Sequence, residues 1–540
     1  MSRLNWAGSD EVADAWQERI AFLCNPASYP DGGDTVECIE THMSWVFLTS
    51  RYAYKLKKPV SFGFVDFSTR ERRYQACRDE LRLNQRLAPD VYQGLTPITL
   101  DRQGRRRLGG VVSVDEWLVR MRRLPAEKCL ARMISERRVT PRDIGLLADR
   151  LWEFYRSLPP VPSRADEYRR AIGEHVDDNE RELSELPFLL EGRVQRVLAQ
   201  QRRALTLTPE MFDVRVCDGR VIEGHGDLRP EHVYFAPKPV VIDALEFSRE
   251  LRTLDVLDEL SFFAMECAVA EAPEVGAQVV ERYQLAAHDD PPAELRAFYE
   301  SYRALVRAKV AALRAAQAPW ESPAALEGRH AAIRYVAWAD RRWEGLYRPL
   351  LVVVMGGSGA GKSTLAGELA RLLGGYRLGT DACRRLDIDV ASVPAYGGGR
   401  YSPEERARIY RLVRESAVAA LPQRSTVVLD GTYGDEEQRR LLLEAARRVN
   451  ATVVFIECRC SLETARSRVA ARCRSHESEI RPEMLEQQAR DRAPLASDLP
   501  TAVVDAEGRL ESTVAEAVAA LRRALSAPLS YPRTTAIPAS

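Results

Sequence analysis

Gly356, Gly361, Lys362 and Ser363 stand at the Gly-x-x-x-x-Gly-Lys-Ser spacing, inside the run LVVVMGGSGAGKST over residues 351–364. Such a run can bind phosphate: glycines let backbone N–H groups converge on phosphate oxygens at a helix N-terminus, where the helix dipole also favours an anion. The backbone of Gly356, Gly357, Ser358, Gly359, Ala360 and Gly361, on to Thr364, is expected to cradle the phosphates of ATP. Lys362 would then reach the β and γ phosphates, and Ser363 would hold Mg²⁺. The alternative is a plain glycine-rich turn, but then the strand before it and the helix after it would accompany the full pattern by chance.

A second dense stretch, GHGDLRPEHVYFAPKPVVIDALEF over 224–247, sets Asp227 in a loop and Asp243 at the end of a strand. Residues 233–235 and 240–242 predict the arms of a hairpin across Ala-Pro-Lys-Pro, which brings both acids to neighbouring loop ends. Phosphoryl transfer needs one carboxylate to orient or deprotonate an acceptor hydroxyl and another to hold Mg²⁺. Asp227 and Asp243 fit those two needs; the alternative is a pair of solvated hairpin acids. Lysine is scarce, seven against seventy-one arginines, yet Lys55, Lys57 and Lys58 cluster and Lys362 sits in the phosphate loop. That makes 55–58 a further place to look for a required ammonium.

These residues need elements to hold them. An opening helix is expected over 8–23, then a hairpin of two strands, WVFLTS and YAYKLKKPV, with Ala53 and Lys55 on one face. Ser68-Thr69 can cap a helix from about 70 to 87 that carries Glu80, and strands follow at 95–100 and 111–121 across the loop DRQGRRRLGG. The arginines of that loop read better as a solvated tip than as a phosphate contact. From 142 the texture is helical, over 142–157, 165–185, 191–205, 249–270 and 295–345. Asp255 and Asp258 read as scaffold acids.

Past the phosphate loop the pattern alternates strand and helix. Thr380-Asp381 ends a short strand, and Arg384 follows within a turn. The run 427–430 is a buried strand ending in Asp430, where an acid beside a phosphate loop typically serves Mg²⁺. After a strand over 453–457, a helix bears Arg466, Arg468 and Arg472, which suit a lid closing over the transferring phosphate, or simply a basic helix face.

Composition narrows the field. Lys+Arg and Asp+Glu both total 78, so no global field draws the chain to nucleic acid or anionic lipid. No apolar run reaches the length of a membrane span, and the first residues bear acids where a leader would be basic and apolar, so a cytoplasmic protein is expected. Ten scattered cysteines fit a reducing compartment. Cys458, Cys460, Cys473 and His476 could form a zinc set, although the first spacing is atypical and core cysteines are common.

The motif His225-Gly226-Asp227-Leu228, followed by Ile242-Asp243-x-x-Glu246, resembles the signature of the aminoglycoside phosphotransferase and choline kinase-like family, relatives of protein kinases. The resemblance runs over roughly 40–345 and implies that Asp227 is the catalytic base, that Asp243 binds Mg²⁺, and that Lys55 paired with Glu80 clamps the α and β phosphates. Where the family carries asparagine as second metal ligand, this chain has His232, a poorer partner for hard Mg²⁺ than an amide oxygen. Residues 350–525 resemble small P-loop kinases of the gluconate, shikimate and chloramphenicol phosphotransferase kind, which implies acceptor contacts from Asp381 and Arg384.

The order of parts thus resembles a bacterial two-domain family. It implies an α+β protein-kinase-like, two-lobed domain over 1–345 and an α/β P-loop NTPase domain with a parallel sheet over 346–526, while the hydroxyl- and proline-rich composition of 527–540 predicts a disordered tail. The expected activity is ATP- and Mg²⁺-dependent phosphotransfer to small hydroxylated molecules from two nucleotide sites. One alternative is a nucleotide sensor whose half with His232 binds ATP without transferring phosphate. A nucleic-acid end kinase is disfavoured by the neutral charge and by the lack of an aromatic-basic stripe. The acidic run Asp177, Asp178, Glu180, Glu182, Glu185 could receive a polycation or form a solvated helix face.

Overall fold

The computed structural model describes residues 10–31, 35–62, 65–110, 113–186, 188–189, 191–381, 383, 402–474 and 485–526. The predicted tail over 527–540 and Arg384 lie outside them. The chain packs as two compact units, one of Met1–Arg164 with Val214–Pro291, the other of Ala165–Asp213 with Pro292–Ser540. This grouping crosses the sequence-based boundary at 345/346. The helices Ala165–Ser184, Glu191–Leu207, Ala293–Ala316 and Pro323–Arg341 belong by packing to the second unit. An amphipathic stripe announces that a helix has a buried face but not which neighbour covers it.

The first unit is built on a six-stranded antiparallel sheet in the order Glu37–Glu40, Ser44–Leu48, Tyr52–Lys57, Val114–Arg122, Tyr92–Leu100, Arg106–Leu108. Val46 pairs with Lys55 and Lys55 with Val119, so the lysine strand lies inside the sheet. The loop after Leu100 contains a strand of its own, Arg106–Leu108, where the sequence suggested only a tip. Thr69 caps the helix Arg70–Asn84 by accepting from Arg72 N–H, which fixes the start of the helix carrying Glu80. The hairpin forms from Val233–Phe235 and Pro239–Val241, leaving Asp243 two residues beyond its second strand. Its core joins Val233 and Val241 to Leu228, Phe263 and Tyr283.

A helix missed in the sequence, Pro273–Ala287, packs on Val256–Val269 at a close approach. A Cβ at Gly276 would meet Ala264 Cα at 2.5 Å. Gly276→Ala is therefore expected to destabilise the first unit by about 1–3 kcal/mol through overpacking, read as a lowered urea midpoint at unchanged slope.

The second unit holds a five-stranded parallel sheet in the order Tyr376–Gly379, Thr426–Gly431, Leu350–Gly356, Thr452–Arg459, Thr501–Asp505. All seven residues of Leu350–Gly356 are buried, as a central parallel strand covered on both faces requires. Alternate residues feed two cores, Val352 and Val354 toward Leu365 and Leu369, Leu351 and Val353 toward Tyr410 and Phe455. Val354 pairs with Asp430, Gly379 with Asp430 and Gly356 with Cys458, so the carboxyl ends of four strands align around the phosphate loop. Thr380 and Asp381 follow the strand Tyr376–Gly379 and begin helical backbone, so the strand ends two residues earlier than the sequence reading placed it. Among the described residues no helix is long and apolar enough to cross a membrane.

The acidic run is a solvated helix face: Arg202 pairs with both Asp177 and Glu180, Arg181 with Asp178, and Lys309 with Glu182.

Candidate functional site

The phosphate loop turns sharply from the buried strand Leu350–Gly356 into the helix Lys362–Leu373. Gly359 adopts φ +84°, and a Cβ there would lie 2.6 Å from the carbonyl oxygen of Ala465, so both conformation and space demand glycine. The loop opens on a cavity of about 790 Å³ whose wall includes Gly356, Lys362, Asp381, Asp430, Arg406 and Arg492.

Asp430 accepts from the Ser363 hydroxyl at 2.6 Å through Oδ2 and from Arg377 Nε at 3.0 Å through Oδ1. A hydroxyl and a carboxylate together beside a phosphate cradle form an all-oxygen set that fits Mg²⁺, which takes one or two protein oxygens plus water and phosphate. Lys362 Nζ donates to Gly357 O at 2.8 Å, so the ammonium lies across the loop. Ser358 N–H, one of the expected phosphate donors, is held at 2.8 Å by Gln488 Oε1 from the short helix Leu485–Arg490.

Arg468 touches the loop from behind, donating to Ala506 O at 2.9 Å and reaching Gly359 O at 3.5 Å. Arg466 pairs with Glu486. Arg472 lies in the helix Leu462–Arg474, but its side chain is outside the described residues, as are those of Cys473 and His476. Burial raises the Cys458 thiol to about 11. Among the described residues no three His, Cys, Asp or Glu side chains converge as a metal-ligand set.

In the first unit the sheet and two loops bring together residues far apart in sequence. Lys55 Nζ lies 2.7 Å from Asp243 Oδ1 and 2.9 Å from Glu80 Oε1. Lys57, two residues on and therefore on the same strand face, reaches Glu80 Oε2 at 2.7 Å and also Glu246. Burial alone would lower the Lys55 ammonium, but Asp243 and then Glu80 hold it well above its ordinary value. Partial burial likewise opposes ionisation of Asp243, whose side chain is 45% exposed, yet Lys55 keeps it far below the usual carboxylate range. Lys55 and Asp243 are therefore both ionised at neutral pH.

The loop around Asp243 is fixed by its backbone. Asp243 has φ +63°; its N–H donates to Tyr92 Oη at 3.2 Å, and Ala244 N–H donates to Asn84 Oδ1 at 2.9 Å. Glu259 Oε1 accepts from His225 N–H and Gly226 N–H at 2.8 and 2.6 Å, pinning the loop that presents Asp227. Burial, with His232 beside it, pushes His225 down to about 4, so its neutral ring donates from Nε2 to Ile242 O and accepts Asp227 N–H at Nδ1.

His232 sits between the two acids, Nδ1 3.7 Å from Asp227 Oδ2 and Nε2 3.7 Å from Asp243 Oδ2. Its Nδ1 faces Asp227 O at 2.8 Å and so carries the proton, while Nε2 faces Arg229 Nη2 at 3.1 Å and accepts from it. The lone pair a metal would use is thus already engaged. Arg229 also pairs with Asp227 Oδ2 at 3.0 Å. Asp243 Oδ2 lies 3.7 Å from His232 Nε2, beyond hydrogen-bond distance, which leaves this oxygen suited to a hard cation.

Lys57, Glu246, Arg229, Arg377 and Gln488 had no assigned role in the sequence reading. Lys57 was visible as one of three clustered lysines, and the two-residue strand period could have placed it beside Lys55. Arg229 stands three before His232, across the turn Pro230–His232. Arg377 and Gln488 carried no local signal.

A family model described as an AAA domain matches residues 351–495. "Uncharacterized protein Rv2004c" of Mycobacterium tuberculosis (strain ATCC 25618 / H37Rv) is 30% identical over 447 residues, 81% of this chain and 86% of its own length. "Uncharacterized protein Mb2027c" of Mycobacterium bovis gives the same figures. Among solved structures, a gluconokinase from Sinorhizobium meliloti 1021 aligns at 22% identity and TM-score 0.26, over 33% of this chain and 94% of that one. A putative kinase from Chloroflexus aurantiacus j-10-fl aligns at 20% identity and TM-score 0.28, over 33% of this chain and all of that one.

Proposed function

This chain belongs to the family of the mycobacterial protein Rv2004c, and from the geometry of its phosphate loop we propose that it is an ATP- and Mg²⁺-dependent phosphotransferase acting on small hydroxylated molecules. The observation that carries this reading is the 2.6 Å contact of Ser363 with Asp430 at the mouth of a glycine loop, with Asp381 on the wall of the same cavity. The loop N–H groups and Lys362 bind and orient the β and γ phosphates. Ser363 and Asp430 hold Mg²⁺, which when bound neutralises charge on the phosphate oxygens. Asp381 orients the acceptor hydroxyl and takes its proton as the new O–P bond forms and the bond from the γ phosphorus to the β–γ bridging oxygen breaks, with ADP leaving. Arg468 supports the loop through Gly359 O, and Arg472 follows one turn on along the same helix. The test is ATP turnover by the full chain over a panel of polyols, sugars and amino alcohols. No acceptor-dependent turnover from any of them would sink the reading.

We further propose a second nucleotide site of kinase-like design in residues 1–345, followed by the P-loop domain over 346–526. Lys55, held by Glu80, would grip the α and β phosphates. Asp243, now paired with Lys55, would hold Mg²⁺ to supply charge neutralisation, and Asp227 would serve as base. Calorimetry should count two ATP per chain, falling to one in Lys362→Ala and to one in Lys55→Met. A single site removed by either change alone would refute the pair.

A sensing role for this half has one observation in its favour. Arg229 pairs with Asp227, and the ring of His232 fills the space between the two acids. In a Lys362→Ala background, ATP binding without acceptor-dependent turnover would favour sensing. Turnover abolished by Asp227→Asn would favour catalysis.

A further inference from the structure

Away from both candidate sites, the second unit encloses a cavity of about 250 Å³ at the opposite end of the parallel sheet, where Arg348, Leu346 and Thr452 precede or begin the strands. The strand Leu350–Gly356 separates it from the phosphate loop by roughly 20 Å, at about 3.3 Å per residue. Its wall contains Arg203, a residue only 6% exposed. Arg203 Nη1 donates to Arg348 O at 2.7 Å, and its guanidinium lies 4.6 Å from the centre of the Tyr347 ring. Nε and Nη2 have no acceptor, and no carboxylate pairs with the group, among the described residues.

Among buried arginines elsewhere, Arg215 has Asp255 and Asp289 as carboxylate partners and Arg73 has Glu116, whereas Arg439 donates instead to the carbonyls of Tyr433 and Pro494. A guanidinium taken from water without a counter-charge is unfavourable, and burial lowers Arg203 to about 10 even with Tyr347 beside it. The Tyr347 hydroxyl is also buried without a well-formed hydrogen bond, Thr208 lining the cavity next to it. Arg348 and Arg522 add positive charge at the rim, the latter shared with Glu210.

We propose that this cavity is a binding site for a small oxyanion, a carboxylate or phosphate carried on a short apolar body, received by the Nε and Nη2 edge of Arg203. The planar fork of a guanidinium matches two oxygens of either group. The volume equals about eight water molecules at ~30 Å³ each, which admits inorganic phosphate or a small organic acid but not a nucleotide. Leu207 and Leu525 supply the apolar wall.

The test is calorimetric titration of the full chain with inorganic phosphate and, separately, with citrate. Wild type is compared with Arg203→Met and Arg203→Lys, with retained folding checked by thermal melting. The expected result is a binding event for at least one anion that weakens at least tenfold in Arg203→Met and persists in Lys362→Ala, which separates it from the phosphate loop. Which anion binds more tightly identifies the class. Arg203→Lys keeps the charge and loses the fork, so it is expected to bind several-fold more weakly than wild type; it also decides the question if Arg203→Met does not fold. Titrations of both anions that are unchanged by the Arg203 variants, or an event lost in Lys362→Ala, would overturn the proposal. The result is independent of whether phosphotransfer is observed.

Discussion

With the first unit silenced by Asp227→Asn, Lys362→Ala is expected to lower the remaining acceptor-dependent ATP turnover by about 10²–10³-fold, the usual effect of removing one preorganised donor to developing charge. Its thermal midpoint should barely move. In the folded chain Lys362 Nζ donates to Gly357 O, a bond to a neutral carbonyl at a part-buried site, whose net worth is about 1 kcal/mol. The same ammonium set against the β and γ phosphates acts where charge is densest during transfer, so the two effects separate cleanly. Lys362→Arg sharpens the test. Arginine keeps the charge but presents a planar fork too broad for a loop that folds a compact ammonium over Gly357, so turnover should remain low. The check is steady-state turnover beside calorimetric ATP affinity and a melting curve for each variant. Near-wild-type turnover in Lys362→Ala would remove this loop from the chemistry.

That loop was legible because everything it needs is contiguous. Strand, glycines, lysine, serine and helix lie within fourteen residues, and only Asp430 had to be brought from afar, itself announced by a buried run ending in an acid. The first-unit cluster was legible only in part. Asp243 and the lysine cluster were picked out from the residues and the pairing of Lys55 with Glu80 came through a motif resemblance, whereas the Lys57 contacts with Glu80 and Glu246 join residues 23 and 189 apart, beyond any local pattern. The engagement of His232 by Arg229 is a matter of which ring nitrogen faces which neighbour, and residue types alone do not fix that. The grouping of helices was hidden for a different reason. The stripes over 165–185 and 295–345 read correctly as helices, but Arg196 pairing with Asp340 and Gln201 bonding to Ser301 are what tie them together, and those partners are 100 or more residues apart.

The largest stability effect is expected at Arg215, in the first unit. Its Nε and Nη2 donate to the two carboxylate oxygens of Asp255 at 2.7 and 2.8 Å, and Nη2 also reaches Asp289 Oδ2 at 2.8 Å. The guanidinium is 4% exposed and Asp255 fully buried. Arg215→Met keeps the length of the side chain and removes its charge, leaving two carboxylates facing each other in the interior. Breaking a buried ion network from one side typically costs about 3–5 kcal/mol, a large share of the stability of an ordinary domain. Asp255 also caps the helix Val256–Val269 by accepting from Leu257 N–H, so repulsion that displaces it would fray the helix that holds Glu259 and, through it, the Asp227 loop.

Charge, not packing, is the cause if a triple variant, Arg215→Met with Asp255→Asn and Asp289→Asn, is more stable than the single one. Asparagine retains the cap while removing the unpaired charges. Urea unfolding should show the first unit's transition moving to lower denaturant in Arg215→Met and partly returning in the triple variant, with the ATP-stabilised transition of the second unit unmoved. A single variant as stable as wild type would mean that water or another cation reaches these acids, and the network would then be surface-like in its energetics despite its burial.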